Sequence, residues 1–173
     1  TESSTISNNV IYDITEAGII TESNVSLVSN NTINNSYVGI SINGSLSEIV
    51  HNDISNSGGD AIILRGGQFN YFNSNTFSNN NVSLRISQQG AYNILENDFN
   101  QMSILDKVIV EPNPNGKIEY TTGIDLTNPV TLAAVMSISQ NSLFVDSNNY
   151  SGLNKTAILT LNNLANGDSR VPT

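Results

Sequence analysis

The chain has no cysteine and no tryptophan, four prolines, and six Lys and Arg against fifteen Asp and Glu in 173 residues. Without cysteine there can be no disulfide, no thiolate metal site and no cysteine nucleophile. Lys and Arg cluster nowhere along the chain, which excludes a nucleic-acid surface and argues against an anionic membrane surface. No apolar run reaches the length of about eighteen residues that a spanning helix needs. Charged residues make up 12% of the chain, about half the usual share. Asparagine takes up much of the difference, with 29 Asn beside 36 Ser and Thr. Disorder ordinarily pairs low hydrophobicity with charge and proline. Here Ile, Leu and Val recur throughout, so a folded β protein with polar turns is expected. Seven Asn-x-Ser/Thr sequons occur, a number this Asn, Ser and Thr content produces by chance, so they carry little weight.

What the chain does have is a repeat. Asn9, Asn31, Asn52, Asn75 and Asn97 form a column with steps of 22, 21, 23 and 22 residues. Two residues after each stands Ile11, Ile33, Ile54, Phe77 or Phe99, and three before stands Ile6, Val28, Ile49, Phe72 or Ile94. Midway, the small residues Gly18, Gly39, Ala61 and Ser83 each precede two alternating apolar columns, Ile19/Ile40/Ile62/Leu84 and Thr21/Ile42/Leu64/Ile86. Period-2 alternation bounded by Asn, Gly and Ser specifies short strands, and no 3.6-residue period persists to support helices. Three short strands per unit of about 22 residues, each stacked on its copy, predict a parallel β-helix of four to five coils. The Asn column is read as structural: Asn tolerates the left-handed backbone of a bend, and stacked amides hydrogen-bond along a column. The first residues already fall inside a unit, so the helix is expected to be truncated at its N-terminus.

Units of the form N-x-I-x-x-N…G-I-x-I resemble the right-handed parallel β-helix repeats of the pectate-lyase-like superfamily, including its CASH-type domains, over about residues 5–101. That resemblance implies the fold; the same scaffold serves polysaccharide lyases, epimerases, tailspikes and surface proteins. Beyond Gln101 the register is lost, and EPNPNG at 111–116 reads as a boundary. The division expected is a β-helix over residues 1–105 and a small antiparallel, sandwich-like β module over 106–173. The stretch GLNKTAILTLNNL at 152–164 is similar to modules that come after β-helices in microbial, notably archaeal, surface proteins. This resemblance implies extracellular or cell-surface display, and its position suggests a cap on the open end of the helix.

Candidates for chemistry are few. His51, the one histidine, sits at a turn position of varied occupancy and reads as a solvated turn residue. Asp60, Arg65 and Arg85 fall on adjacent coils and form the best polar constellation, with an ion pair as the simplest role. Tyr37, Tyr71 and Tyr92 are the tyrosines expected on an exposed face, where they could stack on sugar rings, and Tyr71 and Tyr92 occupy nearby places in successive coils. GGDAI at 58–62 lacks the tandem copies of a calcium nonapeptide, and DSNNYSGLNKTA at 146–157 has Tyr150 at the fifth position, its glycine one place late at 152 and Ala157 where an EF-hand loop needs a glutamate. No metal site and no cofactor are expected. The functional expectation is a non-enzymatic surface protein for adhesion, glycan binding or surface-layer and filament structure. Its partners would be glycans, other surface proteins or further copies of itself, with no nucleic acid and no membrane insertion. The alternative is a polysaccharide-acting enzyme (lyase, epimerase or tailspike-type hydrolase) whose active site is weak or lies outside this chain.

Overall fold

The computed structural model describes residues 3–88 and 93–162. Their strands wind through three sheets in turn. Sheet I stacks Ser4–Ser7, Ser26–Ser29, Glu48–Val50, Tyr71–Asn73 and Asp98–Asn100, all parallel. Sheets II and III are visited by the two halves of Val10–Thr21 and Thr32–Asn43, which run through the bend between them as single strands. In later coils the bend is a loop, separating Asp53–Ser55 and Thr76–Ser78 on sheet II from Asp60–Gly66, Val82–Ser87 and Val108–Asn113 on sheet III. Ile33 and Ile54 on sheet II, with Ile40, Ile62 and Leu84 on sheet III, are fully buried. Each such side chain contributes about 1.5–3 kcal/mol of burial. The small-residue column marks the entry to sheet III. A Cβ on Gly39 would stand 2.4 Å from the Ala61 carbonyl oxygen and 2.6 Å from an Ile54 methyl.

From the second coil onward the bends obey one rule: an outward residue in the left-handed region precedes an inward, buried residue. Between sheets I and II the left-handed residues are Asn8, Asn30, His51, Ser74 and Gln101, with φ between 51° and 59°. The strained backbone therefore belongs to the residue before each ladder Asn and leaves the ladder amide free to point inward. Asn31 Oδ1 accepts from Asn9 N–H and Nδ2 at 3.1 and 3.0 Å. Asn52 Oδ1 accepts from Asn31 in the same way at 3.1 and 2.9 Å, and Asn75 Oδ1 from Asn52 at 3.0 and 2.9 Å. The remaining amide hydrogens reach the carbonyls of Ile6, Val28 and Ile49.

Asn97 does not continue this ladder. It belongs to a second one, before sheet I, in which Ser26 N–H donates to Ser47 Oγ, Ser47 N–H to Asn70 Oδ1, and Asn70 N–H to Asn97 Oδ1 at 2.8 Å. Ile6, Val28, Ile49, Phe72 and Phe99 are in register, giving steps of 22, 21, 23 and 27 residues. The last turn is longer, so the 22-residue count from Asn75 to Asn97 crosses from one bend to another. Met102 comes directly after left-handed Gln101 and takes the buried slot after Asn75. A third ladder joins Ser57 N–H to Asn80 Oδ1 at 2.9 Å and Asn80 N–H to Asp106 Oδ2 at 3.3 Å. The bend before sheet I departs in one respect. Its left-handed residues are Val25, Leu46 and Phe69, with φ of 60°, 59° and 59° and exposed side chains. That edge stores strain of about 1–2 kcal/mol per residue.

The parallel ladder runs past residue 105, because Val108–Asn113 pairs in parallel with Val82–Ser87. The expected division at 105/106 thus falls inside the last coil. The antiparallel strands of the C-terminal region extend the sheets of the helix. Gly116–Tyr120 and then Ala157–Leu161 extend sheet III, and Val130–Thr131 pairs with Asp98–Asn100 on sheet I. Ile124–Leu126 pairs with Met102–Ile104, which packs against Thr76–Ser78 of sheet II. The edges of the last coil would otherwise leave their backbone groups unpaired. A short helix, Leu132–Val135, and a hairpin of Met136–Ser139 with Ser142–Val145 complete the cap, which shares one hydrophobic cluster with the coils.

Glu119 ties cap to coil, with Oε1 2.9 Å from Lys107 Nζ and Oε2 3.4 Å from Lys117 Nζ. Lys107 foremost, with help from Lys117, holds its carboxyl below the usual glutamate range despite the opposing effect of burial. A depressed folded pKa gives stability that is complete above the unfolded value and is lost as pH falls through the folded one. Glu119→Gln is therefore expected to be less stable than the parent at neutral pH. Its thermal midpoint should fall less steeply on acidification below about pH 5, where glutamates begin to protonate.

Candidate functional site

The polar constellation on sheet III resolves into two separate contacts. Arg85 Nε lies 2.9 and 3.0 Å from the two carboxylate oxygens of Asp60. Asp60 is 8% exposed and the Arg85 side chain 29%, so this is a half-buried, charge-assisted pair. Register places Asp60 one coil from Arg85, opposite Val82 in the same strand. Arg65 stays outside the pair; its Nε donates to Ser41 Oγ at 3.2 Å. His51 is an exposed bend residue whose N–H donates to the Asn73 carbonyl at 3.0 Å. Among the described residues no group of three or more His, Cys, Asp or Glu stands together as a metal site.

The tyrosine column is more productive. Tyr71 begins a sheet I strand opposite Asp98, and Asn100 Nδ2 donates to its hydroxyl at 3.3 Å. Tyr92 lies outside the described residues. The neighbour that matters comes from the cap. Proline has no N–H and suits a strand's margin, and the strand Val130–Thr131 starts directly after Pro129. It pairs for two residues, Thr131 Oγ1 donates to Asp98 Oδ1, and the short helix then leads away. Beside this crossing opens a cleft of about 350 Å³ lined by Tyr71, Asp98, Pro129, Thr131, Ala134 and Tyr150.

Tyr150 is positioned by its own turn. Its N–H donates to the Asp146 carbonyl at 3.2 Å, and its carbonyl accepts from Leu153 N–H at 2.9 Å. The Asp146 carboxylate accepts from Asn149 N–H and Nδ2 at 3.1 and 2.8 Å, bonds that hold it below the usual aspartate range. The segment with the displaced glycine and no EF-hand glutamate thus opens in an Asx-type turn. On its other side Tyr150 borders a second cleft of about 320 Å³ with Asp125, Asn128, Pro129 and Asn149. The Thr127 hydroxyl, then its N–H, and last the charge of Lys155 keep Asp125 below the usual range against the effect of burial. Among the described residues no lysine or arginine lines either cleft. Pro129, Val130 and Tyr150 border both, so the two clefts adjoin as a trough with Tyr71, Tyr150, Asp98 and Asp125 on its walls. Such a trough offers amphipathic ring faces beside planar acceptors for hydroxyl groups.

A family model described as the right-handed β-helix region matches residues 1–166. The chain belongs to the right-handed β-helix family. That fold is shared by surface proteins and polysaccharide-acting enzymes, so membership leaves both classes of function open. No curated protein and no solved structure matches the chain. The family match fixes the hand of the coils and extends over the cap as well as the repeats.

Proposed function

We propose that this β-helix is a non-enzymatic extracellular module that binds a neutral polysaccharide in the trough between Tyr71 and Tyr150. The observation that carries the reading is the combination of two tyrosines with Asp98 and Asp125 where, among the described residues, no cation lines the walls. A sugar ring presents a C–H face to a tyrosine and vicinal hydroxyls to carboxylate or amide oxygens. An acidic lining repels uronate and sulfated polymers, because like charges brought together across a binding surface cost several kcal/mol. The same repulsion disfavours a polyuronate lyase or epimerase in this trough. Surface display is supported by the low charge, by the many Asn, Ser and Thr, and by the likeness of residues 152–164 to modules of microbial surface proteins.

The test is an array of neutral and acidic polysaccharides, with titration of the best ligand. Wild type should bind neutral polymers. Tyr71→Ala and Tyr150→Ala should each weaken binding about tenfold, a loss of about 1.4 kcal/mol; Tyr150 also packs against the core, so each variant is titrated well below its own melting temperature. Binding confined to polyuronates, or a full-strength interaction in both variants, contradicts the reading.

A further inference from the structure

We infer that the bend between sheets II and III, on the first three coils, is a second carbohydrate-binding site built around Tyr37. The bend is a groove of about 460 Å³ lined by Asp13, Thr15, Asn35, Ser36, Tyr37 and Asn56, and it is separate from the trough at the cap. Asp13, Asn35 and Asn56 are its left-handed residues, with φ of 56°, 55° and 55°. This conformation turns three short planar side chains outward, one per coil, about 4.8 Å apart. That repeat is close to the length of one pyranose unit, so a glycan lying along the helix axis would meet one acceptor group per sugar.

Three observations point to a ligand. Tyr37 is 62% exposed, although an aromatic ring of this size gains from cover. One side of it is nonetheless floored: Gly59 N–H donates to the Tyr37 carbonyl at 2.8 Å, and a Cβ on Gly59 would come within 3.4 Å of ring atoms. The glycines let the ring lie down against the next coil and leave its other face open. The polar groups of the rim are only partly engaged. Asn35 Nδ2 donates to Asp13 Oδ1 at 2.6 Å and Asn56 Nδ2 to Asn34 Oδ1 at 3.3 Å, which leaves the amide oxygens of Asn35 and Asn56 as acceptors.

With one carboxylate and, among the described residues, no cation in the groove, the ligand class is a neutral oligosaccharide of two to three sugars' span. This second site shares its ligand class with the proposed function but not its residues, so the two can fail separately. The experiment titrates a panel of neutral hexasaccharides, cellohexaose and chitohexaose among them, into wild type, Tyr37→Ala, Tyr37→Phe and Tyr71→Ala/Tyr150→Ala. Stoichiometry is read by calorimetry and shifts at each site by NMR. The expected result is two binding events in wild type, one lost in Tyr37→Ala but kept in Tyr37→Phe, the other lost in the double variant. An unchanged stoichiometry in Tyr37→Ala, with binding abolished in the double variant, overturns the second site alone. Loss in Tyr37→Ala with no effect of the double variant keeps it and removes the trough. No binding of any hexasaccharide by wild type removes both.

Discussion

Asn52→Ala is expected to lower the unfolding free energy by about 3–5 kcal/mol, although the residue is uncharged and makes no contact with any proposed ligand. Asn52 is 1% exposed and sits mid-ladder. Truncation removes the oxygen that accepts from Asn31 N–H and Nδ2, and the amide that donates to the Val28 carbonyl at 3.0 Å. Three buried groups lose their partners together, and each costs about 1–3 kcal/mol when left unsatisfied. Asn34 is exposed one coil away and supplies the control; Asn34→Ala should stay within about 0.5 kcal/mol of wild type. Urea unfolding of the two variants measures both. A cost below about 1 kcal/mol for Asn52→Ala would mean that the ladder is decoration on a fold held by its apolar columns.

Phe72→Ala is the second large effect, about 3–5 kcal/mol, the range for emptying a buried phenylalanine site. Phe72 is fully buried in register with Ile49 and Phe99, and its ring stacks on Phe99 with centroids 4.8 Å apart and planes inclined by 10°. The parallel pairing fixes the strands of Ile49 and Phe99 on either side, so the cavity cannot close by a local side-chain shift alone. Phe72→Leu should cost less than about 1.5 kcal/mol. A double-mutant cycle between Phe72 and Phe99 should return a coupling of about 0.5–1.5 kcal/mol, as stacked aromatic pairs do. A coupling near zero would restore the alternative register in which Phe72 lies over Ile94.

That register problem shows where sequence periodicity carries and where it stops. The columns through Ile19, Ile40, Ile62 and Leu84 are visible because every coil must fill the same interior, and the structure pairs them residue for residue. Asn97 misleads because the longer fourth turn moves it onto the neighbouring bend, where a buried Asn is wanted just as much. The ladder that does own Asn97 was within reach, since Ser26, Ser47 and Asn70 keep the same steps of 21 and 23 residues as Asn31, Asn52 and Asn75. Two of its members are serines, which a column of repeated asparagines does not include. The candidate site divides in the same way. Tyr71 lies on a repeating strand and can be picked from the sequence. Tyr150 and Thr131 belong to the cap, which has no period, and reach Tyr71 through antiparallel pairing that only the fold specifies. Arg65 and Arg85 share a sheet, as their columns imply, yet a coil's difference in register gives Asp60 to Arg85 alone.

The trough is proposed to hold a neutral glycan without cleaving it. The most direct measurement incubates the best-binding neutral polysaccharide with wild type and with Tyr71→Ala/Tyr150→Ala, recording affinity by titration and polymer length by mass spectrometry. Saturable binding by wild type, its loss in the double variant and an unshortened polymer in both samples are the predicted result. Shortened or unsaturated products from wild type, or equal binding by the double variant, would contradict it.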